Sequence, residues 1–203
     1  MTFTLIFQLI VLIFSIMIHE IAHGAMALRL GDDTAQRLGR LTLNPLKHID
    51  PVGSIVLPLI LLIFRSPFLI GWAKPVPYNP NRLRDPRTGA ALIALAGPAS
   101  NIVIAIFFGL LLRLSILPEA AAILMFSIVY INLLLAIFNM IPIPPLDGSK
   151  LLFYFLPQNY QLQATLETYG PILLLVFIFS DAFQFIVPII QFLFQIIVGS
   201  SIL

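Results

Sequence analysis

Long apolar runs alternate with short polar stretches along the whole chain. The first run, Thr2 to Leu30, closes at Gly31 and is long enough for a transmembrane helix. It lacks the basic leader and small-residue cleavage site of a signal peptide. A polar stretch from Asp32 to Asp50 follows, and within it Gly39 to Pro45 alternates like a short strand. Pro51 to Phe64 is apolar but only 14 residues long, which suits a re-entrant or interfacial element better than a span. Arg65 to Arg87 is rich in Pro, Asn and Arg and holds a second strand-like piece, Trp72 to Tyr78. Thr88–Leu114 and Glu119–Ile141 read as spans joined by the Leu114–Pro118 turn. Pro142, Pro144 and Pro145 stop the helix, and Leu146–Leu156 reads as a short one. Tyr169 to Val198 is apolar again, with Ser180-Asp181 read as a loop between two half-helices.

The pattern predicts an all-α polytopic membrane bundle of five to six membrane segments with short membrane-associated β elements. It is read as one domain over residues 1–203, with a core at 1–156 and C-terminal membrane segments at 169–199. Composition agrees: 60% of residues are hydrophobic, 10% are charged, and mean hydropathy is +1.03. A soluble domain carries about a quarter charged residues, so no soluble core could hide this surface. The net charge of +2, without a long basic run, argues against nucleic-acid binding. The chain has no cysteine, so a bound metal must rely on His and carboxylate.

Nine positive charges set the expected orientation. Arg29, Arg37, Arg40 and Lys47 follow the first run, and Arg65, Lys74, Arg82, Arg84 and Arg87 follow Pro51–Phe64. The positive-inside rule puts all nine on the cytoplasmic side if Pro51–Phe64 dips in without crossing.

One motif conflicts with this apolar setting. His19-Glu20-Ile21-Ala22-His23 puts two imidazoles four residues apart, on one helix face, at bilayer depth. That is the spacing of two zinc ligands with a general base, Glu20, beside them. The competing account is a pair of hydrogen-bonded core histidines with an incidental Glu. The surroundings from Phe3 to Ile18 offer few polar partners, and a metal would resolve the charge of all three side chains. From Phe3 to His19 the helix rises about 24 Å, which puts the pair in the cytoplasmic third of the membrane. The Glu119 helix returns to that side, and just past its end stands Asp147. This residue is either the third ligand or an ordinary N-cap; the Pro-rich approach and the need for a third ligand favour the former.

These motifs, together with Asn139-Met-Ile-Pro142-Ile-Pro144-Pro145-Leu146-Asp147-Gly148 and Leu95-Ala96-Gly97-Pro98-Ala99-Ser100-Asn101, resemble the site-2 protease family of intramembrane zinc metalloproteases. The resemblance covers most of the chain through Leu156. It implies one zinc held by His19, His23 and Asp147, with Glu20 activating water. It implies that Asn139 and Asn101 contact substrate, a transmembrane helix of another membrane protein cut within or near the bilayer in regulated intramembrane proteolysis. Arg40–Pro45 and Trp72–Tyr78 resemble the β elements that clamp an extended substrate. The chain reads as a short form without a PDZ or CBS domain, in the cell membrane, with its active site near the cytoplasm.

Two other functions compete. A metal transporter would show paired polar positions in repeated halves, and no repeat is present. A non-proteolytic zinc scaffold has no need of Glu20. Among weaker candidates, His48 reads as an interfacial loop histidine, Asp181 as part of a loop, and Trp72 as an interfacial anchor.

Overall fold

The computed structural model describes residues 2–56, 59–60, 63–64, 71, 73–114, 117–156 and 159–199. Helix α1 spans Thr2–Arg29. Lipid offers the backbone no hydrogen bonds, so even a sequence rich in Ile and Phe becomes helical there. Gly31, at φ +106°, ends it: the Gly31 and Asp32 N–H groups return to the Leu28 and Ala27 carbonyls, closing the helix with a left-handed residue. A short turn, α2 (Thr34–Arg37), follows.

Helix α3 (Pro86–Arg113) starts on Pro86, and the Asp85 side chain accepts the Arg87 and Thr88 N–H groups. Helix α4 (Glu119–Asn139) ends before the proline run. Helix α5 (Gly148–Phe155) is short, and α6 (Tyr160–Phe179) leads through a 3-10 turn at Asp181–Phe185 into α7 (Ile186–Val198). Among the described residues four helices are long and apolar enough to cross a membrane: Phe3–Arg29, Pro86–Arg113, Glu119–Asn139 and Tyr160–Phe179. Ile186–Val198 is apolar but shorter.

Side-chain pairs fix the directions. Gln8 bonds Ser127 and Ser15 bonds Asn132, so α1 and α4 run parallel. Ala27 packs with Ile93 while His19 meets Asn101, so α1 and α3 are antiparallel. The C-terminal ends of α1 and α4 therefore share one end of the bundle. The main apolar core lies between α3, α4 and α7, where Ala105, Val129, Leu133, Ile186, Ile190 and Phe194 are buried. Exposed Phe3, Ile6, Ile10 and Ile13 mark a lipid-facing side of α1.

Two expectations change in form. Helix α6 begins at Tyr160 rather than Tyr169; the Asn159 side chain caps it by accepting the Leu162 N–H, and Thr165 and Thr168 satisfy their hydroxyls on the Gln161 and Ala164 carbonyls. The described residues contain no strand, neither at 40–45 nor at 73–78. The physical reason lies in the donors. Pro75 and Pro77 have no N–H, Lys74 N–H goes to the His48 carbonyl, and Val76 N–H goes to a side chain of α1. From Lys74 to Pro77 no N–H is therefore left for a ladder. Trp72 and residues 57–58, 61–62 and 65–70 lie outside the described residues; Pro51–Val56 forms a wide helical turn.

The loops on either side of Pro51–Phe64 are tied together. Asn79 N–H donates to Asp32 at 2.6 Å, Arg82 pairs with Asp33, and Lys74 N–H reaches the His48 carbonyl at 2.8 Å. Both flanks thus sit at the same end of the bundle, as a re-entrant segment requires. Burial opposes ionisation of Asp32, but hydrogen bonds from Thr34 and Asn79 and the nearby Arg82 hold its pKa below the ordinary carboxylate value. A depressed pKa contributes stability above the unfolded value that is lost as pH falls through the folded value. Asp32→Ala should therefore destabilise the protein by about 2–3 kcal/mol at pH 7, with two N–H groups orphaned. The gap to wild type should narrow below about pH 4. Unfolding in detergent at both pH values checks this.

Candidate metal centre

His19 and His23 project from one face of α1 because four residues make just over one helical turn. The two rings meet edge to face, with centroids 4.6 Å apart. Each ring is oriented from behind. His23 Nδ1–H donates to the Ile93 carbonyl at 2.6 Å, and His19 Nδ1–H donates to Asn101 Oδ1 at 2.7 Å. A carbonyl can only accept, and the Asn101 amide nitrogen is turned to Asn132 Oδ1 at 2.9 Å. Both imidazoles therefore carry their proton on Nδ1 and present the Nε2 lone pair inward.

Asp147 arrives from a different part of the chain. Ile143, Leu146 and Ser149 close tight turns through the Leu146 N–H to Ile143 carbonyl and Ser149 N–H to Leu146 carbonyl bonds. Gly148 lies against the Met140 and Ile141 carbonyls, where a Cβ would sit 2.2 Å from Met140 O, so only glycine allows this fold-back. Asp147 stands at the N-terminus of α5 in helical conformation and makes no capping hydrogen bond, which removes the N-cap account. Instead Asp147 Oδ2 lies 3.1 Å from His19 Nε2 and 3.3 Å from His23 Nε2, and the two Nε2 atoms are 3.0 Å apart.

With each Nδ1 engaged behind the ring, the triangle brings together two Nε2 atoms and one carboxylate oxygen. Asp147 Oδ2 is buried and has no hydrogen-bond partner among the described residues. Ligand atoms about 3.3 Å apart are what a tetrahedral site with bonds near 2 Å requires, so the donor set fits zinc. These three residues form a metal-capable group among the described residues.

Helix α3 approaches unusually closely. A Cβ on Gly97 would lie 2.5 Å from His23 Nε2 and 2.6 Å from His19 Cε1. Gly97→Ala should push both rings aside and lower zinc affinity by about tenfold to a hundredfold. Metal content after dialysis against a graded chelator measures it.

Glu20 sits beside the pair, with Oε2 accepting the Val76 N–H at 2.7 Å. Asn101, expected at the substrate, is fully buried and turned to His19; its place is behind that ring. Asn139 is half-buried and returns its amide nitrogen to the Leu135 carbonyl within its own helix, without a bond to the triangle. His48 is buried in the loop, bonded to the Thr42 carbonyl. Asp181 is exposed and bonds Gln184.

The sequence reading missed Asn132 and Ser15. Asn132 is fully buried and links Asn101 to the Ser15 hydroxyl. The available signal was a mid-helix Asn in an apolar span, which by default marks function or helix contact. Ser15 stands one turn before His19, on the same face.

The sequence profile of peptidase family M50 matches residues 115–180. YwhC of Bacillus subtilis is 41% identical over 180 residues, covering 84% of this chain and 78% of the relative. Rip2 of Mycolicibacterium smegmatis is 30% identical over 172 residues, covering 83% of this chain and 64% of its own length. Both carry the name "Putative zinc metalloprotease". No solved structure matches the chain.

Proposed function

Given that the chain belongs to peptidase family M50, the site-2 protease family, we propose that it is an intramembrane zinc endopeptidase using one zinc per chain. It cuts a peptide bond in or near the transmembrane segment of another membrane protein. The observation that carries the proposal is Asp147 Oδ2 meeting both inward-facing Nε2 atoms from a separate element. His19, His23 and Asp147 would hold the metal.

Bound zinc supplies Lewis-acid polarisation of the scissile carbonyl and makes a coordinated water acidic. The remaining roles fall to this chain's own groups. Glu20 takes the water's proton and passes it to the leaving amine. Asn101 and the Ile93 carbonyl keep each imidazole in the tautomer that leaves Nε2 free. Asn139, at the end of the helix leading to Asp147, is the proposed contact for the substrate backbone. Substrate must unwind locally, because a peptide bond inside a helix is shielded. A zinc scaffold would use the same triangle but leave Glu20 only its hydrogen bond to the Val76 N–H.

The test is cleavage of a transmembrane peptide by purified protein, with zinc measured in the same sample. Chelation should abolish cleavage and zinc should restore it; cleavage that survives full zinc removal overturns the proposal.

The site is proposed to lie in the cytoplasmic third of the bilayer. Gln36 and Asn81 are exposed on the tied loops, and Glu119 is exposed at the start of α4. Single cysteines at Gln36 and Asn81 should react with impermeant reagent from the cytoplasmic face, and one at Glu119 from the other. Labelling of Gln36 and Asn81 from opposite faces would make Pro51–Phe64 a true span.

A further inference from the structure

Arg40 is buried, 7% exposed, and pairs with no carboxylate among the described residues. A buried guanidinium without an acid is costly, and here it is offset by hydrogen bonds from one terminal nitrogen while Nε has no partner among the described residues. One terminal nitrogen of Arg40 donates to the Lys74 carbonyl at 2.6 Å and to the Pro75 carbonyl at 3.2 Å. Those two peptides immediately precede Val76, whose N–H donates to Glu20 Oε2 at 2.7 Å. The sequence Lys74-Pro75-Val76-Pro77 makes this donor unique: of residues 75 to 77, only Val76 has an N–H. Lys74 N–H is fixed to the His48 carbonyl at 2.8 Å, so the strap is gripped on both sides just before it reaches the carboxylate.

Helix α1 is shaped to receive it. Gly24 lies one turn after Glu20, and a Cβ there would come 2.8 Å from Val76 Cγ1 and 2.6 Å from Leu41 Cδ2. A larger residue would lift the strap from the helix. We infer that Arg40 is a positioning residue: its guanidinium holds the 74–76 backbone so that the Val76 N–H fixes one oxygen of the Glu20 carboxylate, leaving the other aimed at the reacting water.

The inference rests on Glu20 being the base, as proposed above. It adds a residue 20 positions away, in a loop outside the metal motif, that acts through the strap on the Glu20 carboxylate. A carboxylate held by one oxygen loses less freedom on reaching the reactive geometry, and small misplacements of a catalytic group are expensive.

The experiment compares Arg40→Ala, Arg40→Lys and Gly24→Ala with wild type in detergent, on the transmembrane peptide, with zinc content and melting temperature recorded for each. Arg40→Ala should lower kcat by about tenfold to a hundredfold, with KM within about twofold and zinc content unchanged. Arg40→Lys still offers a cationic donor to the two carbonyls and should recover most of the rate. Gly24→Ala should fall in kcat like Arg40→Ala.

A second arm separates positioning from general folding. In the Glu20→Gln background, followed by single-turnover cleavage, adding Arg40→Ala should change the residual rate little, because its effect passes through the missing carboxylate. Three results overturn the inference. They are wild-type kcat in Arg40→Ala, loss of zinc in both Arg40 variants, or an equal further loss in the Glu20→Gln background. Wild-type rate in Glu20→Gln alone would instead remove the base assignment, and the inference with it.

Discussion

Replacing His23 with alanine should leave the protein without stoichiometric zinc and without proteolytic activity. The three donors are all that the described residues bring together at that point. Total binding free energies for protein zinc sites are about 10–16 kcal/mol, so one ligand of three is worth several kcal/mol, or about a thousandfold or more in affinity. The loss should be specific. His23 makes one hydrogen bond outside the triangle, to the Ile93 carbonyl, so helix packing between α1 and α3 is retained through Ala27, Leu83 and Ile93. Metal analysis of the purified variant, beside its melting curve, is the measurement. Full zinc occupancy in a folded His23→Ala protein would mean that the triangle is not the metal site. Removing Asp147 as Asp147→Ala should act in the same direction, since it is the one carboxylate of this group among the described residues.

The long elements and the triangle were legible in the sequence for one shared reason: local signals fix them. A span is written in 20 or more apolar residues, and the His pair in a four-residue helical repeat. Asp147 needed topology as well. Its approach could be read because Pro142, Pro144 and Pro145 end a returning helix on the side where the His pair sits. What the sequence did not disclose depends on tertiary contact. Asn132 carries no local pattern, yet it joins α4 to Ser15 and Asn101 in the interior. Asn101 belongs to a motif, but only its neighbours show that it is buried against His19 Nδ1. The strand expectation at 73–78 failed in a related way. Alternation of residue types said nothing about where the few N–H groups would go, and Glu20 and His48 take those of Val76 and Lys74. The start of α6 was hidden because Gln161, Gln163 and Glu167 make its first turns polar, though they remain helical.

Glu20→Gln should separate metal binding from chemistry. The amide is nearly isosteric with the carboxylate and keeps a carbonyl oxygen, so it can still accept the Val76 N–H that Glu20 accepts at 2.7 Å. The strap over residues 74–76 therefore stays in place, and the proposed ligands His19, His23 and Asp147 are untouched. Zinc content should remain at the wild-type level. An amide cannot take a proton from water at neutral pH, so the rate should fall by about a hundredfold or more, with the loss in kcat rather than KM. That split matters, because it is the signature of a group that acts in the transition state and not in substrate binding. Loss of zinc together with activity would point instead to a structural contribution of the carboxylate. A Glu20→Gln protein that keeps its zinc and cuts the transmembrane peptide at the wild-type rate would remove Glu20 from the mechanism, and another group near the triangle would have to accept the proton.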